Sequence, residues 1–196
     1  EGIILSYSSN NILSNNNASN YKTGIILSYS SNNILSNNNA SNNYYGIILS
    51  YLSNNNKIYL NNFLNNEYNV DSYNSYNTWN STEKITYTYN GNNYTNYLGN
   101  YWSDYTGKDA DKDGIGDTAY KNLDNYPLMV PFENYFVRGD LNGDGKVDNE
   151  DAILVAYMVV GKVPVDLSAD FNNNNRVDIG DASKIAYYLV GKIDSL

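Results

Sequence analysis

Apolar residues in the first third of the chain come in bursts of three or four, separated by Asn- and Ser-rich stretches. The bursts recur at a fixed interval. Residues 2–23 read GIILSYSSNNILSNNNASNYKT, residues 24–45 GIILSYSSNNILSNNNASNNYY, and residues 46–66 GIILSYLSNNNKIYLNNFLNN. Gly2, Gly24 and Gly46 are 22 apart, and Ile3, Ile25 and Ile47 keep step with them, as do Leu5, Leu27 and Leu49. Each burst is too short for a helix, and clustered Asn opposes one. Ile and Leu alternate, so both point to one face of a short strand. Asn, Ser and Gly then supply the corners. Short strands at this interval predict a parallel β-solenoid with 22-residue coils, Ile stacked on Ile and Leu on Leu inside. The same stacking aligns Asn amides into hydrogen-bonded ladders. The third copy slips by two residues, which puts Ile58 in the place of Ile12 and Ile34.

Residues 71–135 lose the interval. Thr86, Tyr87, Thr88 and Tyr89, then Asn90-Gly91, then Tyr94 and Thr95, predict a hairpin. This segment reads as the cap that closes the solenoid, because an open end exposes core and strand edges. Trp79, Trp102, Tyr101 and Tyr105 suit its core; a sugar-stacking platform is the other use of such rings. Asp109, Asp111 and Asp113 alternate, followed by Gly114, Ile115 and Asp117. Alternate carboxylates, a turn Gly, a backbone oxygen from Ile115 and a fourth acid suit a wrapped Ca²⁺.

The last third holds a second duplication, offset by 30 residues. Asp140, Asn142, Asp144, Lys146, Asp148 and Asp151 recur as Asp170, Asn172, Asn174, Arg176, Asp178 and Asp181. Positions 1, 3, 5, 9 and 12 of each loop are oxygen donors, and position 7, Lys146 or Arg176, offers its backbone carbonyl. Asn175 replaces the turn Gly145, as the next best residue for a left-handed backbone. Each loop leads into a short helix stopped by Gly161 or Gly191. Ile153, Tyr157 and Val160 share one helical face, as do Ile185, Tyr188 and Leu189. The boundaries expected are coils 1–70, cap 71–135 and loop–helix module 136–196.

Composition and charge narrow the chemistry. The 196 residues carry a net charge of −9, with −1 in residues 1–103 and −8 in residues 104–196. No basic face exists to displace counterions from phosphates, so nucleic acid is excluded as partner. Acid gathered in one half suits hard cations. There is no Cys and no His, which removes thiolate chemistry, the commonest general base and the usual zinc ligand. Only Met129 and Met158 remain as soft ligands, so copper is not expected. No apolar run is long enough to span a membrane. Residue 1 falls inside a repeat and no signal peptide is visible, so a piece of a longer protein is expected. Acids in residues 1–70 are Glu1 and Glu67, and the bases are Lys22 and Lys57, so no stacked catalytic set is expected. Sequons stand at Asn17, Asn39, Asn80 and Asn93, candidates for glycosylation in a secreted chain.

The repeats, NKIYLNNFLNN at 56–66, the run from Tyr76 to Tyr120 and YPLMVPFENY at 126–135 resemble the NosD-like family of right-handed parallel β-helices. That family is also grouped with carbohydrate-binding and sugar-hydrolase β-helix domains. The resemblance implies an extracellular or cell-surface protein and fixes no reaction. Residues 137–195 resemble a type I dockerin with two EF-hand-like loops. That implies Ca²⁺-dependent folding, two bound ions besides the one at 109–117, and a cohesin-like partner. By position, the family's recognition residues fall at Asn149, Glu150, Ile179 and Gly180, with helical contacts at Ala156, Tyr157, Ala186 and Tyr187. The cellulosomal pattern has small hydroxyl residues at the first pair and basic ones at the second; neither stands here, so the specificity implied is different. The function expected is a structural or adhesion protein, a rigid β-helix stem tethered through its dockerin. Coils stacking end to end into filaments are a second mode of association. The alternative is a polysaccharide-binding or polysaccharide-active β-helix.

Overall fold

A computed structural model describes residues 1–143, 146–193 and 196. The fold is mainly β and divides into two compact units, residues 1–85 with 94–135, and residues 86–93 with 136–196.

The first unit is the solenoid. Its strands are β1 (Ile3–Ser6), β2 (Ile12–Ser14), β3 (Asn17–Ser19), β4 (Thr23–Ser28), β5 (Ile34–Ser36), β6 (Asn39–Ser41), β7 (Tyr45–Ser50), β8 (Lys57–Tyr59), β9 (Asn62–Leu64) and β10 (Tyr68–Ser72). They form three parallel sheets, β1-β4-β7-β10, β2-β5-β8 and β3-β6-β9, the last continued by β13 (Tyr101–Trp102). Ile3, Ile25, Ile47 and Val70 stack in register, as do Leu5, Leu27 and Leu49. Ile25, Leu27, Ile47 and Leu49 are buried. The glycine interval has a steric cause: a Cβ on Gly24 would lie 2.7 Å from the Gly46 carbonyl and 2.7 Å from Asn43 Nδ2.

One sequence expectation is corrected. Ile58 does not take the place of Ile34; Lys57 pairs with Ile34, and Ile58 pairs with Leu35. The insertion is therefore one residue. Ile12 is 59% exposed whereas Leu35 and Ile58 are fully buried. Strand faces alternate, so a one-residue difference in register decides which neighbour is covered, and burial selects the inward position for Ile58.

Asn side chains form the expected ladders. Asn38 Oδ1 accepts from Asn16 N and Nδ2, Asn61 Oδ1 from Asn38 N and Nδ2, and Asn100 Oδ1 from Asn61 N and Nδ2. Each amide accepts from the preceding coil through its carbonyl, and its NH₂ donates both onward to the next rung and back to a backbone carbonyl of the preceding coil. The ladder ends on Asp124 Oδ2, which accepts from Asn100 N, Asn100 Nδ2 and Trp102 Nε1. A second column runs from Asn43 through Asn66 and Asn69 to Asp104, and Asn62 Nδ2 donates to Glu133. Carboxylates thus sit where the aligned NH₂ groups point, as an anion suits the donor end of a helix.

The cap fills with rings. The inner column Ala18, Ala40, Phe63 and Trp102 widens along the solenoid. Trp102 lies parallel between Phe63 and Tyr120, at 4.4 Å from each ring centre. Trp79 and Trp102 are buried, so these rings are core and not a sugar platform.

The hairpin of β11 (Ile85–Tyr89) and β12 (Asn92–Asn96) turns at Asn90 and Gly91, both with positive φ as Asn-Gly predicts. In the second unit β11 pairs antiparallel with β14 (Phe136–Val137) through Tyr87 and Thr88. Two helices follow, α1 (Asn149–Val159) and α2 (Ile179–Leu189). Asp148 and Asp178 cap them, and Asp151 and Asp181 complete both capping boxes. Gly161 and Gly191 have positive φ, and the next backbone N–H closes on Tyr157 or Tyr187, so both helices end as expected. Val155, Met158, Phe171 and Ile185 form the core. Ile153, Tyr157 and Val160 are exposed instead, by 50%, 40% and 66%. Helix α1 is apolar on two sides, and the side carrying Val155 and Met158 is the buried one.

Candidate metal loops

In the loop at 109–117, carboxylate oxygens of Asp109, Asp111 and Asp113 lie within 4.8 Å of one another. Among the described residues this is the one such gathering of acids. The turn is folded by its own side chains. Asp109 accepts from Asp113 N and Gly114 N, Asp113 from Ile115 N, and Asp117 from Ala110 N. Gly114 has φ +90°, which explains the glycine. Burial pushes the Asp113 carboxyl above the usual range, and the Asp111 and Asp109 charges push it the same way. The Ile115 side chain is buried and Asp117 is exposed. Tyr135 packs from behind, its hydroxyl on the Gly114 carbonyl.

The two loops of the second unit are built alike. Asp151 and Asp181 at position 12 are both fully buried. Asp151 accepts from the backbone of Leu141, Asn142 and Asp148, and Asp181 from that of Phe171, Asn172 and Asp178. One carboxylate therefore ties the start of each loop to its end. Asp140 accepts from Gly143 N. Asp144 lies outside the described residues, so loop 170–181 carries the detail. There Asp170 accepts from Asn174 N and Asn175 N, Asn172 Oδ1 from Asn174 N, and Asn174 Oδ1 from Arg176 N. Asn175 has φ +62°, the left-handed turn expected of it. The Asp178 carboxyl is held below its usual range, first by the Gly180 N–H and then by Asn174 and Arg176. Asp170, Asp178 and Asp181 do not converge as the 109–113 acids do.

The sequence did not point to Arg138 and Lys184. Arg138 donates to the Asp170 and Phe171 carbonyls, and Lys184 Nζ lies 2.7 Å from the Phe171 carbonyl. Neither has a basic counterpart in the other copy: Ser168 stands 30 residues after Arg138 in the second copy and Leu154 stands 30 residues before Lys184 in the first, so the duplication gave no sign of them. All eight candidate partner residues, Asn149, Glu150, Ala156, Tyr157, Ile179, Gly180, Ala186 and Tyr187, are exposed. Of the sequons, Asn17 and Asn93 are exposed while Asn39 and Asn80 are half-buried.

The architecture is a parallel β-solenoid joined in one chain to a duplicated loop–helix unit. The family described as "Periplasmic copper-binding protein (NosD)" matches residues 1–107, and the chain belongs to that family. A curated relative, "Probable ABC transporter binding protein NosD" of Pseudomonas aeruginosa, is 56% identical over 32 residues, which is 16% of this chain and 8% of that protein. This chain thus matches a small part of that relative's length. No solved structure matches. Both descriptions name binding rather than a reaction. The copper in the family's description does not fit the residues here. Cys and His are absent, Met158 is packed into the apolar core beside Val155 and Phe171, and the gathered acids are hard oxygen donors.

Among the described residues no helix is long and apolar enough to cross a membrane.

Proposed function

We propose that the protein is an extracytoplasmic attachment protein, with a β-helix stem and a dockerin-like module at residues 136–196 that folds around calcium and binds a cohesin-like protein domain. Loop 170–181 carries the reading. Its side-chain oxygens at alternate positions accept the loop's own N–H groups, and buried Asp181 clamps both ends. Asp170, Asn172, Asn174, the Arg176 carbonyl, Asp178 and Asp181 are the ligands there. Asp140, Asn142, Asp144, the Lys146 carbonyl, Asp148 and Asp151 serve the first loop, and Asp109, Asp111, Asp113, the Ile115 carbonyl and Asp117 serve the third site. The second loop has Asn174 where the first has Asp144, so it binds more weakly. The exposed Ile153 and Val160, beside the eight carried-over positions, form the docking face. Calcium titrated into the EDTA-treated 196-residue chain should increase helical circular dichroism and raise the unfolding midpoint. Asp170→Ala should remove the weaker of the two helical phases. Helical signal indifferent to EDTA would overturn the reading.

A second reading, polysaccharide binding, is favoured by a cavity of about 370 Å³ lined by Asp104, Tyr105, Thr106, Thr118, Tyr120 and Lys121. Its hydroxyls and its Asp104–Lys121 pair at 3.2 Å suit a sugar. Affinity electrophoresis on neutral and acidic polysaccharides should show retardation that Tyr105→Ala abolishes; unretarded wild-type protein would dismiss it.

A further inference from the structure

Tyr7, Tyr29 and Tyr51 follow the paired Ser6, Ser28 and Ser50 and occupy the same corner of successive coils. Their rings stack almost parallel, Tyr7 on Tyr29 at 4.7 Å and 6°, Tyr29 on Tyr51 at 5.1 Å and 13°. They are exposed by 77%, 44% and 59%. Their φ angles are 49°, 50° and 51°, in the left-handed region that most other corners give to Asn, such as Asn10, Asn32 and Asn55. That backbone is costly for a bulky side chain, so the aromatic column is held against a local preference. Face-to-face stacking covers both faces of Tyr29 and one face each of Tyr7 and Tyr51. What the column offers to solvent is a row of phenol edges held in mutual contact, the arrangement that in-register parallel strands impose on like side chains.

We propose that this column is a site of oxidative tyrosine–tyrosine cross-linking, in which a one-electron oxidant of the haem peroxidase class, using hydrogen peroxide, joins Tyr29 to Tyr7 or to Tyr51. Each phenol gives up one electron and its O–H proton. One peroxide takes both hydrogens from a pair and is reduced to two waters. The two phenoxyl radicals form a carbon–carbon bond between ring positions ortho to the oxygens. The hydrogen on each ortho carbon then moves to its oxygen, restoring two phenols, so the product lacks two hydrogens overall. Contact between the rings replaces diffusional encounter of two radicals. Solenoid coils touch only their neighbours, so such a bond staples adjacent coils. It closes a 22-residue loop in a chain with no Cys to make a disulfide.

The test is to treat the 196-residue chain, at high dilution, with a haem peroxidase and hydrogen peroxide, isolate the monomer, and read dityrosine fluorescence and tryptic peptide masses. Tyr7 precedes Lys22 while Tyr29 and Tyr51 lie between Lys22 and Lys57, so the Tyr7–Tyr29 link joins two peptides. Tyr29→Phe keeps the ring but lacks the O–H, and should lose the column's dityrosine signal; Tyr51→Phe should keep the Tyr7–Tyr29 link. Undiminished monomer signal in Tyr29→Phe would overturn the proposal. So would products concentrated at Tyr73 and Tyr76, which are more exposed on average, at 68% and 82%, but belong to no such column. The same link pattern from urea-unfolded chain would also overturn it, because stacking would then not select the pair.

Discussion

Replacing Asn61 by Ala removes a buried rung of the longest ladder. Asn61 is 1% exposed. Its Oδ1 accepts from Asn38 N and Nδ2, both at 2.9 Å, and its Nδ2 donates to the Leu35 and Tyr59 carbonyls and to Asn100 Oδ1, at 2.9, 3.0 and 2.9 Å. Truncation strands the buried Asn38 N–H, which costs about 2 kcal/mol, and removes both Nδ2 hydrogens, whose bonding counts about 1 kcal/mol each, while Asn38 Nδ2 keeps the Leu13 and Ser36 carbonyls. The sum, about 4 kcal/mol, is a large part of the roughly 5–15 kcal/mol that holds a domain folded. Asn11→Ala is the control. That rung is exposed and only donates, to Asn33 Oδ1, so water replaces its partner and the loss is under about 1 kcal/mol. Both tryptophans, Trp79 and Trp102, lie in the solenoid core. Urea unfolding followed by tryptophan fluorescence therefore reports this unit by itself, with the midpoint shift read at constant slope. If Asn61→Ala shifted the midpoint no further than Asn11→Ala, the claim that buried amide ladders hold the coils together would fall.

The ladder's last residue gives a pH signature. Burial pushes the Asp124 carboxyl from 3.8 up to about 6, against the pull of its N–H donors from Trp102, Asn100 and Tyr126. A carboxyl raised on folding binds its proton more tightly in the folded state. Its stabilising contribution is full below the unfolded value of 3.8 and is lost as pH rises through about 6. Stability of the wild-type solenoid should therefore carry a falling component between those values, and Asp124→Asn should flatten it; an unchanged slope in that variant would place the titration elsewhere.

What the sequence determined by itself is what repeats or is strictly local. Identical residues at a 22-residue interval have one way to stack, so the Ile and Leu columns and the Asn ladders were legible before any coordinates. Asn90-Gly91, Gly161, Gly191 and Asn175 name their own backbone conformations, and each adopts it. The alternation of oxygen-bearing side chains in the acidic loops was equally plain, and in loop 170–181 those oxygens accept the loop's own N–H groups. Tertiary structure decided whatever depends on a choice between faces. Lys57 and Ile58 offer two registers, and only burial against Leu35 selects one. Helix α1 offers two apolar sides, and packing in its unit buries Val155 and Met158 while leaving Tyr157 in solvent. The ladder acceptors Asp104, Asp124 and Glu133 come from outside the repeats, so no periodicity could pair them with Asn69, Asn100 or Asn62. A repeat fixes its own stacking partner; a residue that occurs once acquires its partner only when the chain folds back on itself.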